Sequence, residues 1–226
     1  MNAFFAQLPP GFLLQVLTGM EVNLQIACLA LVIGLALGAP SAFGKLHHGM
    51  LGAISAGIVG LMRATPTFVV MFFLLNAVPP HIYLFGISFT LSGTMIVVIS
   101  LVPYSAYYVA ESGAESIKQL RLHSPLAALL FLPNLARAFF VLVMASSSGA
   151  AIGVHESITT IVRQAERMSA AGDRLALFAM GALLFGITLQ TGFALVNLLR
   201  RHLAGLVKRQ MAVAAMVDHK ELYGYE

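Results

Sequence analysis

Residues 22–44 read VNLQIACLALVIGLALGAPSAFG and contain no Asp, Glu, Lys or Arg. These 23 residues are enough for one helix to cross the hydrocarbon core of a bilayer, which takes about 20 apolar residues. A second uncharged stretch, residues 64–110, is twice the length that one helix needs. Because Pro79-Pro80 interrupts it near its middle and proline cannot continue a helix, we predict two spans here, joined by a tight turn at residues 78–81.

Two further apolar stretches bring the predicted number of spans to five. Residues 125–154 carry one charge, Arg137, and residues 175–199 carry none. The 17 residues 46–62 are too short for a span, since as a helix they would reach about 25 Å against a hydrocarbon core of about 30 Å. We predict that this segment forms an interfacial helix along the membrane surface.

The composition agrees with a membrane protein. Of the 226 residues, 59% are hydrophobic and 10% are charged, whereas soluble proteins have about 45–50% and about 25%. The mean hydropathy is +0.88. These values exclude a water-soluble globule and predict an all-α polytopic membrane helical bundle. The net charge of +4 comes from dispersed Lys and Arg, so no nucleic-acid-binding face is expected.

The distribution of Lys and Arg predicts the orientation, because cytoplasmic loops retain positive charge. With the N-terminus outside and the C-terminus inside, nine basic residues lie in cytoplasmic segments: Lys45, Arg63, Lys118, Arg121, Arg200, Arg201, Lys208, Arg209 and Lys220. Only Arg163, Arg167 and Arg174 lie outside. We predict one transmembrane domain over residues 1–210 and a cytoplasmic tail over residues 211–226. The pairs Gly34/Gly38 and Gly149/Gly153 predict close helix packing.

No catalytic or metal-binding motif is found in the sequence. Ser146-Ser147-Ser148 lacks the Gly-x-Ser-x-Gly context of a nucleophilic serine. His155 and Glu156 are adjacent, whereas metal ligands on a helix are three or four residues apart. We therefore expect no enzyme activity, no cofactor and no metal site in this chain.

Polar residues within the predicted spans are the candidates for function, because a charge near the bilayer centre costs about 2.5–3.5 kcal/mol or more. Arg137, Ser146, Ser147 and Asn76 are interpreted as lining a substrate path. A fixed cation at Arg137 would favour the carboxylate of an amino acid or organic acid. The alternative is structural: Arg137 would hold helices together, and the serines would bond to their own i−4 carbonyls.

Several short motifs, in chain order, carry a resemblance to a known family. They are Gly19-Met20-Glu21-Val22-Asn23-Leu24, Arg63-Ala64-Thr65-Pro66 before the Phe-rich residues 68–73, Ala106-Tyr107-Tyr108-Val109-Ala110-Glu111, Ile152-Gly153-Val154, and Leu198-Leu199-Arg200-Arg201-His202. With them the chain resembles the membrane subunits of type I ABC importers, specifically the five-span permeases for polar amino acids.

The resemblance implies a subunit of the bacterial inner membrane that forms the substrate path as a homo- or heterodimer. It also implies a separate cytoplasmic ATP-binding subunit as the site of any ATP hydrolysis, a periplasmic solute-binding protein, and contact with membrane lipid.

One departure from the family concerns the cytoplasmic helix that docks on the ATPase, the Glu-Ala-Ala segment, which is missing here. Only residues 118–123 stand in its place, so Lys118, Arg121, His123 and Pro125 are predicted to form a degenerate ATPase-facing loop. Six residues cannot form a stable helix of their own. An alternative alignment to Leu132-Pro133 restores part of the loop. The second hypothesis is therefore a pseudo-permease that acts as a scaffold, receptor or regulatory subunit without ATP coupling.

Overall fold

The computed structural model describes residues 4–5, 7–79, 81–84, 87–122 and 131–223. In this part of the chain the α-helices are α1 (Phe12–Lys45), α2 (Met50–Ala64), α3 (Thr67–Ala77), α4 (Gly93–Arg121), α5 (Phe131–Ser146), α6 (Ser157–Glu166) and α7 (Ala171–Tyr223). A 3₁₀ helix, Ser147–Ile152, continues α5, and two strands, β1 (His81–Leu84) and β2 (Ile87–Thr90), separate α3 from α4.

The all-α polytopic bundle is confirmed. Four of the described helices, α1, α4, α5 with its 3₁₀ extension, and α7, are long and apolar enough to cross a membrane. Helices α2 and α3 meet at a bend of 84° and make a fifth span if the pair counts as one broken span. The predicted number of about five spans therefore agrees with the structure.

Helices α1 and α4 form the centre of the bundle. Small residues of α1 face α4: a Cβ on Gly34 would overlap the side chain of Ser105, and one on Gly38 would overlap the Ala106 carbonyl and Val109. The predicted close packing at this glycine pair is thus confirmed. The fully buried apolar side chains around this contact include Ile26, Ala30, Val97, Leu101 and Leu142.

The predicted second span is corrected. Helix α3 has only 11 residues, about 16 Å of helix, which is too short to cross the hydrocarbon core alone. The residue before a proline is disfavoured in the α conformation, and Thr65 before Pro66 is extended, with φ −75° and ψ 115°. The chain bends at this point. Helix α2, which was predicted as a separate interfacial helix, and α3, at the start of the predicted span, are therefore the two halves of one bent helix pair.

The predicted tight turn between the second and third spans is also corrected. Strands β1 and β2 pair antiparallel, with His81 opposite Thr90 and Leu84 opposite Ile87. The uncharged stretch therefore contains a β-hairpin between its two helical parts. Helix α4 begins only at Gly93, where the Ser92 hydroxyl accepts a hydrogen bond from the Met95 amide at 3.3 Å, a usual N-cap.

Helix α4 also runs further than the sequence predicted. It continues ten residues past Glu111 to Arg121, because residues 112–121 contain no proline and are mostly good helix formers. Lys118 and Arg121 therefore lie on its last turns, rather than in a loop. His123 and Pro125, with which they were grouped, lie outside the described residues.

Helix α2 packs across the end of α1 and across α4 near Tyr107, at what we call the Lys45 end of the bundle. A Cβ on Gly44 of α1 would overlap Ser55 of α2. The Lys45 ammonium of α1 lies 2.6 Å from the Glu111 carboxylate of α4. The Arg63 guanidinium of α2 stands 5.7 Å from the centre of the Tyr107 ring. Three helices are thus held together at one level.

The last two spans lie where the sequence predicts them, but their ends differ from the predicted ends. Helix α5 and the 3₁₀ helix end at Gly153, whose φ of +82° is a left-handed conformation suited to glycine. The start of this span, predicted near Pro125, falls outside the described residues. Helix α7 continues past residue 210 to Tyr223. The division into a domain and a tail at that residue, and the orientation in the membrane, stay predictions.

Candidate functional site

Asn23 is the centre of a buried group of polar side chains near the other end of the bundle. It lies on α1 and is completely buried. Its Nδ2 donates to the Ser146 hydroxyl at 2.8 Å and approaches the Ser147 hydroxyl at 3.5 Å. Its Oδ1 accepts hydrogen bonds from the Ser157 hydroxyl at 2.7 Å and the Ser157 amide at 3.4 Å. One amide thereby links α1, the α5–3₁₀ junction and α6.

Glu156 extends this group and fixes the start of α6. Its carboxylate is fully buried and accepts hydrogen bonds from the amides of Ile158 at 2.9 Å and Thr159 at 2.7 Å. It also accepts from the Ser157 hydroxyl at 3.3 Å and the Thr159 hydroxyl at 3.1 Å. A carboxylate at a helix N-terminus satisfies amides that have no partner within the helix. We call Asn23, Ser146, Ser147, Glu156, Ser157 and Thr159 the Asn23 network.

A glycine allows α1 to approach this network. A Cβ on Gly19 would overlap the Ser157 amide nitrogen and come within 2.7 Å of the Glu156 carbonyl carbon. Gly19 precedes Asn23 by one helical turn, so both residues point to the same side of α1. The backbone contact at Gly19 and the amide contacts of Asn23 together hold the start of α6 against α1.

A cavity of about 480 Å³ lies beside the network. Its wall consists mainly of apolar side chains from α5, α6 and α7, among them Met144, Ile161 and Phe185. Ser147 lines it too, and is partly buried. Ser147 therefore belongs both to the network and to the cavity wall, where its hydroxyl is a polar group on a largely apolar surface. Cavities of about 300–1,000 Å³ with few polar groups are typical of small-molecule sites.

The structure brings together two of the four residues that were predicted to line a substrate path. Ser146 and Ser147 meet at Asn23. Ser146 also donates to its own i−3 carbonyl, that of Val143, at 2.7 Å, so it makes both the local bond and an interhelical contact. The structural alternative predicted a local bond to the i−4 carbonyl, whereas the local bond that Ser146 makes is to the i−3 carbonyl.

Arg137 and Asn76 lie elsewhere. Arg137 is exposed and lies nine residues before Ser146 on α5. Asn76 is exposed near the end of α3, where its Nδ2 donates to the Phe72 carbonyl at 2.7 Å. Their place in the substrate path stays a prediction.

The sequence reasoning did not select Asn23, Ser157 or Glu156 as site residues. Asn23 gave a signal, since it is an amide within an uncharged apolar span. In the sequence, Glu156 was considered only as the neighbour of His155, and nothing in its spacing indicated burial.

Within the described residues, no group of three or more His, Cys, Asp or Glu side chains could hold a metal ion. The polar atoms of the Asn23 network are hydroxyl, amide and carboxylate groups that bind one another and the backbone. The arrangement is suited to holding helices in place and to presenting a hydroxyl to a small solute.

Comparison with known proteins gives a match among solved structures. No protein-family model matches the sequence, and a search of curated proteins finds no match either. Among solved structures, the chain is similar to one described as a crystal structure of an amino acid ABC transporter with histidines, at 20% sequence identity and a TM-score of 0.61. The alignment covers 83% of this chain and 94% of that one. The protein described here therefore shares the fold of a chain of an amino acid ABC transporter.

Proposed function

We propose that the chain is the transmembrane subunit of an ABC-type importer for polar amino acids or similar small organic solutes. In this proposal two such subunits form the solute path, an ATP-binding subunit works from the cytoplasm, and a periplasmic solute-binding protein delivers the solute. The shared fold supports the first part, because the alignment extends over most of both chains. The protein would belong to a bacterial inner membrane.

The observation that carries the proposal is that the Asn23 network adjoins the 480 Å³ cavity through Ser147. Within a membrane, buried polar groups are satisfied inside the protein, where they hold helices together or line a solute pathway. The network fixes the α5–3₁₀ junction and the start of α6, so it positions two walls of the cavity. A solute held there would contact one hydroxyl and a mostly apolar surface.

Arg137 has a place in the proposal as the cation that binds a solute carboxylate. It does not line the cavity within one subunit, and its side chain is exposed. We therefore place it on the side of the path that the second subunit closes, where a guanidinium can bind a carboxylate through two hydrogen bonds.

An uptake assay on the reconstituted complex tests the path. Ser147→Leu puts a larger apolar side chain at the cavity wall, so uptake should fall at least about tenfold while the complex still assembles. Ser41→Leu is the matched control, because the Ser41 hydroxyl donates only to its own i−4 carbonyl, that of Leu37, at 2.9 Å and does not line this cavity. Equal uptake by both variants would remove this cavity from the solute path.

The second candidate function is a pseudo-permease without ATP coupling, and the course of α4 favours it. Lys118 and Arg121, which stand where a separate docking helix is expected, are part of the continuous helix α4. Purification in mild detergent distinguishes the two functions. A stoichiometric ATP-binding subunit that co-purifies with the chain would favour the importer, whereas its absence from an otherwise intact complex would favour the pseudo-permease.

A further inference from the structure

Helix α7 packs against the rest of the bundle along one face. A Cβ on Gly181 would overlap Ile161 of α6, and one on Gly192 would overlap the Phe140 ring of α5. Phe193 lies beside Gly192, with its ring centre 4.4 Å from that of Phe140. These contacts with α5 and α6 fix which side of α7 faces inward.

The opposite face of α7 carries a row of exposed residues. Because each residue turns a helix by about 100°, Gln190 lies half a turn away from Gly181. The residues in line with Gln190 are exposed too, Leu183 by 66% and Ile187 by 61%. We call Leu183, Ile187, Gln190, Ala194 and Asn197 the α7 row. Their alternating spacings of four and three residues are those by which one helix packs along another in a coiled coil.

Gln190 places a carboxamide close to the middle of a span. Ile187 is the central residue of the uncharged stretch 175–199, and Gln190 follows it by about 4.5 Å along the helix. The hydroxyls of Thr188 and Thr191 donate to carbonyls of their own helix at 2.9 and 2.8 Å. The Gln190 amide is exposed and offers two N–H donors and a carbonyl acceptor, none of which lipid chains can bind. Its position therefore favours cover by protein over cover by lipid.

We propose that the α7 row binds the α7 row of a second copy of this chain, with Gln190 bonded to Gln190 of the partner subunit. Two copies with one orientation in the membrane are related by a two-fold axis along the membrane normal, which places equal residues at equal depth. A carboxamide is its own complement, because the N–H group of each donates to the carbonyl of the other. Amide side chains bond across helices in this way within membranes.

The residues around Gln190 support a dry contact between helices. Leu183 and Ile187 are large apolar side chains, which pack well against a neighbouring helix and would be unfavourable along a water-filled lane. The proposal rests on the pairing of two subunits in the proposed function, and it goes beyond that function by naming the face that pairs.

Disulfide cross-linking in vesicles tests the face. The single cysteine, Cys28, is first replaced by alanine. Ile187→Cys then places a thiol in the α7 row. Val32→Cys is the matched control, because Val32 is also β-branched, is 58% exposed on α1 and lies one residue from the centre of the uncharged stretch 22–44. A disulfide needs Cβ atoms within about 4.5 Å, so oxidation should link the Ile187→Cys variant into dimers at least about fivefold faster than the control.

Energy transfer tests the amide. Copies of the full chain that carry donor and acceptor labels are reconstituted together, and their pairing is followed as lipid is added. Gln190→Leu should weaken pairing about five- to tenfold, the value for two hydrogen bonds between helices in a membrane, whereas Gln190→Asn keeps a carboxamide and should retain most of the pairing. Gln25→Leu is the control, because the Gln25 amide is exposed and donates to Glu21 of its own helix at 3.3 Å, so pairing should not change.

The outcomes separate this contact from the proposed function. If the copies pair but Val32→Cys is linked as fast as Ile187→Cys, α7 is not the pairing face and the importer stands. If Gln190→Leu pairs as tightly as the unchanged chain, the amide makes no contact. If a charged, membrane-impermeant thiol reagent labels Ile187→Cys, the α7 row faces water. If energy transfer is absent while the reconstituted complex takes up solute, the pairing of identical copies is wrong and transport stands. Pairing through α7 in a complex without uptake would support the contact and count against the importer.

Discussion

Replacing Asn23 by leucine should destabilise the protein by about 2–4 kcal/mol. The substitution removes the 2.8 Å bond to Ser146 and the 2.7 Å bond from Ser157, which at the average value for polar contacts in membrane proteins are worth about 0.6 kcal/mol each. It also leaves the buried Ser157 amide without its partner, which costs about 1–3 kcal/mol. The Ser146 hydroxyl keeps its bond to the Val143 carbonyl, which limits the loss.

The assay is equilibrium unfolding in mixed detergent micelles, followed by circular dichroism. Asn76→Leu is the matched control: it is the same substitution at an exposed residue whose amide bonds only to its own helix, so the expected change is below about 0.5 kcal/mol. A double-mutant cycle with Ser157→Ala should give a coupling energy of about 1 kcal/mol. The reasoning is refuted if Asn23→Leu is no more destabilising than Asn76→Leu, or if the losses at Asn23 and Ser157 simply add.

Two further predictions concern the approach of α1 to α6 and the solute path. Gly19→Ala places a methyl group against the backbone at Glu156, so the free energy of unfolding should fall by about 1–3 kcal/mol. A methyl group at Gly57 meets nothing within 4 Å, so Gly57→Ala should leave the free energy of unfolding unchanged or raise it by up to about 1 kcal/mol. In the proposed importer, Arg137→Ala should lower uptake of an anionic or zwitterionic solute at least tenfold, and Arg167→Ala should not; unchanged uptake by an active Arg137→Ala complex would remove Arg137 from the path.

The main helices of the fold could be predicted from the sequence because the physics behind them is local. A long stretch without charge must cross the bilayer as a helix, and residues 22–44 and 175–199 do lie within α1 and α7. The 84° bend follows from Pro66, a local signal that a count of apolar residues does not contain. The pairing of strand 81–84 with strand 87–90 depends on contacts between them, which such a count does not contain either. The extension of α4 was missed because Glu111 was taken as its end.

The candidate site was less predictable than the fold. Asn23 bonds to Ser146 and Ser157, which are 123 and 134 residues away in the sequence. Such contacts have no periodicity, so only the residue types could suggest them. A charged residue such as Glu156 is usually solvated. Here two backbone amides of α6 donate hydrogen bonds to its carboxylate in place of water. A buried carboxylate that caps a helix looks the same in a sequence as an exposed one.

The length of α4 determines how the proposed importer could transmit force. Beyond Glu111 the helix continues for ten residues, about 15 Å, so its tip at Arg121 projects past the level at which Lys45 and Arg63 contact α4. Within the bundle, α4 is locked to α1 where Gly34 meets Ser105, and well-packed interfaces move as units. A cytoplasmic subunit that displaced the tip would therefore move α1, and with it Asn23, whose amide approaches Ser147 at the cavity wall. In this chain α4 itself could do the work of a docking helix, and cross-linking from a cysteine at Arg121 to the ATP-binding subunit would show that contact, whereas cross-links only from other segments would refute it.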